Sequence, residues 1–244
     1  MASTSETGHA KNVAAFSTLI TYVNGFGTNY NPSKTVMKLP QLQQKLLEGT
    51  NSINAVSTTV STLNKSINER VALFNEMKAY ALRVLNNLKA SEASKETLAD
   101  AASIMRKLRG KRASSKPTAP TDPNLPTPKV NSTSRLSFDN MIEHYNNLLQ
   151  IVNKETSYSP NEAILSSTTF ESKIAELVAK NNEVVQMQAN SSNARVTRNE
   201  VLYHPTTGIV AVANDIKLYI KALFGNTSQQ YNQVKGITFR AAPM

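Results

Sequence analysis

Between Arg106 and Lys116 the chain reads RKLRGKRASSK, and six of these residues are cationic: Arg106, Lys107, Arg109, Lys111, Arg112 and Lys116. Charge at that density draws in phosphate-rich polymers by releasing their condensed counterions, a sequence-independent and salt-sensitive grip. The plain alternative is a solvated helix end, because cations near a helix C-terminus offset the partial negative charge of its last carbonyls. No aromatic residues alternate with the cations to stack on bases. No helix-turn-helix or zinc signature accompanies them either. The cluster is therefore a candidate polyanion site, with nucleic acid as its natural ligand class.

Other chemistry has little to work with. His9, His144 and His204 are far apart and form no HxxH or HExxH spacing, and the chain has no cysteine. Thiol catalysis, disulfide frameworks and Cys-ligated zinc are excluded on composition. The chain contains no GxxxxGK[ST] phosphate loop, no GxGxxG, no GxSxG elbow and no SxxK. Glutamates occur singly on the helical stretches, which gives no paired carboxylates for a di-iron bundle. His144, beside Glu143, reads as an exposed helix residue, and His204, in YHPTTG, as a turn residue. Tyr22, Tyr30, Tyr158, Tyr203 and Tyr219 recur near turns or on apolar faces. That placement suits core packing with a bonded hydroxyl better than a ligand box. The expectation is a protein without catalytic residues, metal, cofactor or small-molecule substrate.

The elements that carry these residues come from charge, proline and hydrophobic period. The net charge of +10 is uneven: residues 1–112 hold 15 Lys and Arg against 7 Asp and Glu, whereas residues 136–244 hold 9 of each. An anionic partner, if there is one, belongs to the first half. Ser114–Lys129 contains five prolines in 16 residues. Proline cannot donate to a helix ladder and restrains its predecessor, so the run reads as a strap between two folded parts. The resulting layout is a flexible tail over 1–12, a helical unit over 13–113, a proline-rich linker over 114–134 and a second helical unit over 135–244.

The two parts share a plan. At a shift of 128 residues Tyr30 meets Tyr158, Pro32 meets Pro160, Lys45 meets Lys173 and Glu48 meets Glu176. Asn54 then meets Asn182, Val56 meets Val184 and Arg70 meets Arg198. Ordered matches of this kind predict an internal duplication. In the first half Leu42, Leu46, Gly49, Ile53, Val56, Val60, Leu63 and Ile67 step by alternating four and three. That is the a/d rhythm of a helix lying along another helix. The series is expected to run on through Val71, Phe74, Met77, Ala81, Leu85 and Leu88. In the second half the face holds Phe170, Ile174, Leu177, Val184 and Val185, interrupted by Asn181 and Gln188. The second long helix breaks at HPTTG (204–208), and another is predicted over Ile209–Phe224 with Gly225 beyond it. A further helix is predicted over Lys95–Leu108, with Ser94 as its N-cap and Gly110 past its end.

The fold expected is all-α: two similar units of three or four helices, forming elongated bundles around long heptad-patterned helices. The leading functional expectation is a structural protein that self-associates into a homo-oligomer or polymer, a ring or a filament, with Leu46, Ile53, Val56, Val60 and Leu63 as the packing residues. The alternatives are phosphate gripping through the basic cluster and, behind it, a helical effector acting on membranes. No secretory signal pattern opens the chain and no stretch approaches 18 apolar residues. A cytoplasmic location is the expectation, with signal-less export left open.

Overall fold

The computed structural model describes residues 4–111 and 136–240. Among these residues every regular element is helical. Seven α-helices follow in order: α1 (Thr4–Gly25), α2 (Leu39–Ala90), α3 (Lys95–Leu108), α4 (Phe138–Lys154), α5 (Ser167–Tyr203), α6 (Ile209–Phe224) and α7 (Gln229–Lys235). The longest of these, α2, contains 52 residues. The expected linker over 114–134, with Arg112 and Lys116 of the basic cluster, lies outside the described residues.

Local chemistry accounts for most helix ends. Ser94, Ser137 and Ser228 cap α3, α4 and α7, each hydroxyl accepting the backbone N–H three residues on. A cap of this type contributes about 1 kcal/mol. Beyond α3, Gly110 takes a φ of 65° and its N–H donates to the Lys107 carbonyl, while the Lys111 N–H donates to the Arg106 carbonyl. This is the Schellman pattern, which satisfies carbonyls a helix end otherwise leaves orphaned. Between α5 and α6, Pro205 cannot continue the ladder, and the His204 Nδ1 accepts the N–H groups of Thr206 and Thr207. The ends read from sequence for α3 and α6, and the break at 204–208, coincide with those in the structure.

The start of the chain differs from expectation. In place of a flexible tail over 1–12, α1 begins at Thr4. The cause is remote in sequence. His9 and Asn12 are buried, and the Asn12 amide donates to the Arg240 carbonyl at 3.1 Å and to the Tyr203 hydroxyl at 3.2 Å. The Arg240 N–H donates back to Asn12 Oδ1 at 2.8 Å, and the His9 Nδ1 lies 2.7 Å from the Tyr203 hydroxyl. Ile237 and Phe239, in the non-helical segment after α7, pack against the same core.

The chain folds into two compact units, but not along the boundary the prolines suggest. One unit combines Met1–Leu63 with Met187–Met244, and the other is Asn64–Gln186. Each therefore takes the front of one sequence half and the back of the other. The core of the first unit joins Phe16 and Leu19 of α1, Leu42 of α2, Leu202 of α5 and Ile216 of α6. The core of the second joins Phe74 and Leu88 of α2, Leu108 of α3, Tyr145 of α4 and Phe170 of α5. α2 and α5 each contribute residues to both cores, so the strap is not the boundary between the units. His144, expected to be exposed, is also corrected: it is buried on the face of α4 that holds Met141, Tyr145 and Leu148. Its spacing of three from Met141 and four from Leu148 places it on the inward stripe.

Candidate functional site

The candidate packing residues all lie on one stripe of α2. Val56 is buried, Leu46 and Ile53 pack against the first unit's core, and Val60 and Leu63 are half-buried. Gly49, on the same stripe, marks a close approach. A Cβ built there would stand 2.5 Å from Ile209 Cδ1 and 3.3 Å from Val13 Cγ2. A methyl at this position would have to displace the end of the Ile209 side chain.

In the second unit the inward residues of α2 change in chemistry, beginning with the buried Ser66. After Ile67 the inward position is Arg70, and Val71, expected to continue the series, is 42% exposed. A guanidinium is tolerated there because its partners are built in. The Arg70 Nη1 donates to Asn181 Oδ1 at 2.8 Å, and its Cζ lies 3.9 Å from the centre of the Phe138 ring. The Asn181 amide in turn donates to Asp139 at 2.8 Å. Burial holds the Arg70 guanidinium below its ordinary pKa, and the Asp139 carboxylate opposes that shift. Asn181 thus interrupts the apolar face of α5 in order to meet Arg70, which fixes how α2 and α5 align. Val185, read as part of the apolar face, is 60% exposed, and Val184 takes the buried position.

Beside this pair lies an ionic link between the same helices. Lys180 donates to Glu69 at 3.0 Å and to Glu183 at 2.7 Å, and the Ser66 hydroxyl donates to Glu183 at 2.8 Å. The hydrogen bond from Lys180, then that from Ser66, holds the Glu183 carboxyl below the usual carboxylate range. Hydrogen bonds to Glu183 and Glu69 raise Lys180.

Each long helix is preceded by the same kind of turn. The Tyr30 hydroxyl donates to the Met37 carbonyl at 2.9 Å, and the Tyr158 hydroxyl to the Leu165 carbonyl at 2.7 Å. A single 3₁₀ turn stands between the tyrosine and the helix in both places, Thr35–Met37 and Ala163–Leu165. Burial, and then the neighbouring Tyr219, raise the Tyr30 hydroxyl above the usual tyrosine value.

The described part of the basic cluster sits on the Schellman turn. Arg106 is half-buried and donates to the Ser103 hydroxyl at 3.0 Å, whereas Lys107, Arg109 and Lys111 are exposed. Four cations are thus held at the negative end of the α3 dipole. An open groove of about 380 Å³ runs between α4 and α5, with Asp139, Glu143 and the amides of Asn146 and Asn182 along it. Among the described residues no group of three His, Cys, Asp or Glu side chains converges on a point that could hold a metal. Among them, too, no helix is long and apolar enough to cross a membrane.

The polar contacts that tie the helices together were only partly readable from sequence. Asn181 shows itself as a break in an apolar face, and Arg70 as one of the residues matched at a shift of 128. Nothing local marks His9 or Asn12, whose partners are Tyr203 and Arg240. Comparison of the chain with protein-family models, with curated proteins and with solved structures gives no match in any of the three.

Proposed function

We propose that this chain is a non-enzymatic structural protein that self-associates through its long amphipathic helices, and that its halves are two copies of one helical unit. The observation that carries this reading is a shared register. Leu42, Gly49, Val56 and Phe74 of α2 are buried, and so are Phe170, Leu177, Val184 and Leu202 of α5, each 128 residues on. The two hydroxyl-capped turns are related by the same shift, as are the first residues of the helices, Leu39 and Ser167. A seven-residue period maintained over such lengths is the pattern by which one helix lies along another. Halves with one plan, each recognising the other, carry the surfaces by which halves of different chains recognise each other.

Light scattering coupled to size exclusion, run from micromolar to millimolar protein and from 50 mM to 1 M salt, tests the reading. Species heavier than one 26.7 kDa chain are expected at the upper concentrations. A single monomeric peak at every concentration and salt would end it.

A second reading is favoured by the exposure of Lys107, Arg109 and Lys111 at the end of α3. In it, these cations grip a phosphate polymer. Replacing the three by Gln should then abolish retention on heparin and flatten its salt dependence. Passage of the unaltered chain through heparin at low salt would dispose of this alternative.

A further inference from the structure

We infer that two copies of this chain associate by trading halves, so that residues up to 111 of one copy pair with residues from 136 onward of the other. The inference rests on the self-association reading and supplies its partner and mechanism. Neither compact unit is made by one half alone. In the first unit, Phe16 and Leu42 from the front of the chain close a core with Leu202, Val212 and Ile216 from the back. In the second, Phe74 and Leu108 from the first half close a core with Tyr145 and Phe170 from the second. The polar contacts obey the same rule: Asn12 with Arg240, Lys34 with Asp215, Arg70 with Asn181, Glu69 with Lys180. A half separated from its partner exposes two apolar surfaces at once. The surface that covers them is present in equal measure on every other copy.

Covalently, the halves are joined only through residues 112–135, a stretch of 24. Its two ends adjoin: a Cβ on Gly110 would lie 2.8 Å from the Leu136 side chain. Closed and exchanged forms therefore share every contact described above and differ in the tether. Covalent joining of two binding parts in one chain supplies an effective concentration of about a millimolar. Exchange is then favoured when chains fold at about that concentration, and it persists on dilution because reversal requires both units to open. Reciprocal exchange closes a dimer. Exchange passed from copy to copy runs on as a ring or an open chain.

The test uses the full chain with the recognition sequence of a site-specific protease placed within residues 117–128. The protein is refolded from urea at about 5 μM and at about 1 mM, and its mass is measured by light scattering before and after the cut. Oligomers are expected only from the concentrated refolding. Cutting should lower their mass to that of one chain, two-fold for a dimer, because each paired set of halves is then a free particle. Cutting the monomer serves as the control and should leave its mass and helical circular dichroism unchanged. Oligomers that keep their mass after cutting would overturn exchange while leaving self-association intact. Absence of oligomers under both conditions would remove both. A monomer that falls apart or unfolds on cutting would overturn the premise that contacts between halves hold each unit.

Discussion

Gly49 offers a quantitative trial of the packing between α2 and α6. An added methyl would find Ile209 Cδ1 at 2.5 Å, Val13 Cγ2 at 3.3 Å and Leu202 Cδ2 at 3.9 Å. Carbon pairs are most favourable at about 3.5–4.0 Å, so the first contact overlaps by about 1 Å. Ile209 is fully buried, so its end carbon has to shift within the core. Overpacking of this kind costs about 1–3 kcal/mol, against a gain of about 1 kcal/mol for Ala over Gly inside a helix. Gly49→Ala should therefore destabilise by about 0–2 kcal/mol. The sharper test is its coupling to Ile209→Val, which removes the carbon that clashes. Alone, that substitution should cost about 0.5–1.5 kcal/mol for the lost methylene. Combined with Gly49→Ala, it lets the new methyl occupy the vacated space, and the cost should vanish or change sign. The double-mutant cycle is then expected to show about 1 kcal/mol of favourable coupling. Urea titrations of the four proteins, followed by circular dichroism at 222 nm, give it from midpoints at constant slope. Additivity within about 0.5 kcal/mol would mean the two side chains do not share that space, and the packing argument would fail.

Two more outcomes follow from the contacts. Tyr30→Phe and Tyr158→Phe each remove one hydroxyl-to-carbonyl bond, from Met37 and Leu165 respectively, and should each cost about 1 kcal/mol in the same urea assay. Costs that differ by more than about 1 kcal/mol would argue against the equivalence of the two turns. Glu183 has a lowered pKa in the folded chain because Lys180 and Ser66 donate to it. Its stabilisation is present above the unfolded carboxyl value of about 4.3 and is lost as pH falls through the folded value. Glu183→Gln should therefore flatten the acid-side fall of the urea midpoint between about pH 5 and pH 3. An unchanged profile would remove Glu183 from the linkage.

What could be read from the chain and what could not divide along a physical line. The ends of α3 and α6 were legible because Ser94, Gly110, Gly225 and the His-Pro-Thr-Thr-Gly break act within a few residues of themselves. Of the apolar series expected along α2, Leu42 and Val56 are buried, whereas farther on the buried position is Ser66 and Ile67 is only half-buried. The series was misread at Val71 because the inward position is a cation, Arg70, made acceptable by Asn181 and Phe138 on other helices. His144 was misjudged for a related reason: residue type argued for the surface while spacing argued for the core. The helical start of α1 was invisible because Asn12 meets its partner 228 residues later. The basic cluster was legible as a helix end, since its Schellman turn is local, but its ligand chemistry is not written in that turn. The grouping of residues into units was the least legible, since it depends on which helix faces meet.

That grouping also sets an order of events during synthesis. The second unit is a continuous stretch, Asn64–Gln186, whereas the first needs both Met1–Leu63 and Met187–Met244. At about 5–20 residues per second, the 123 residues between these parts take roughly 6–25 s to emerge. Through that interval the apolar faces of α1 and the front of α2 wait without their cover, and Asn12 cannot meet Arg240 until that residue has been made. Ribosomes that follow one another on a message carry such waiting segments side by side.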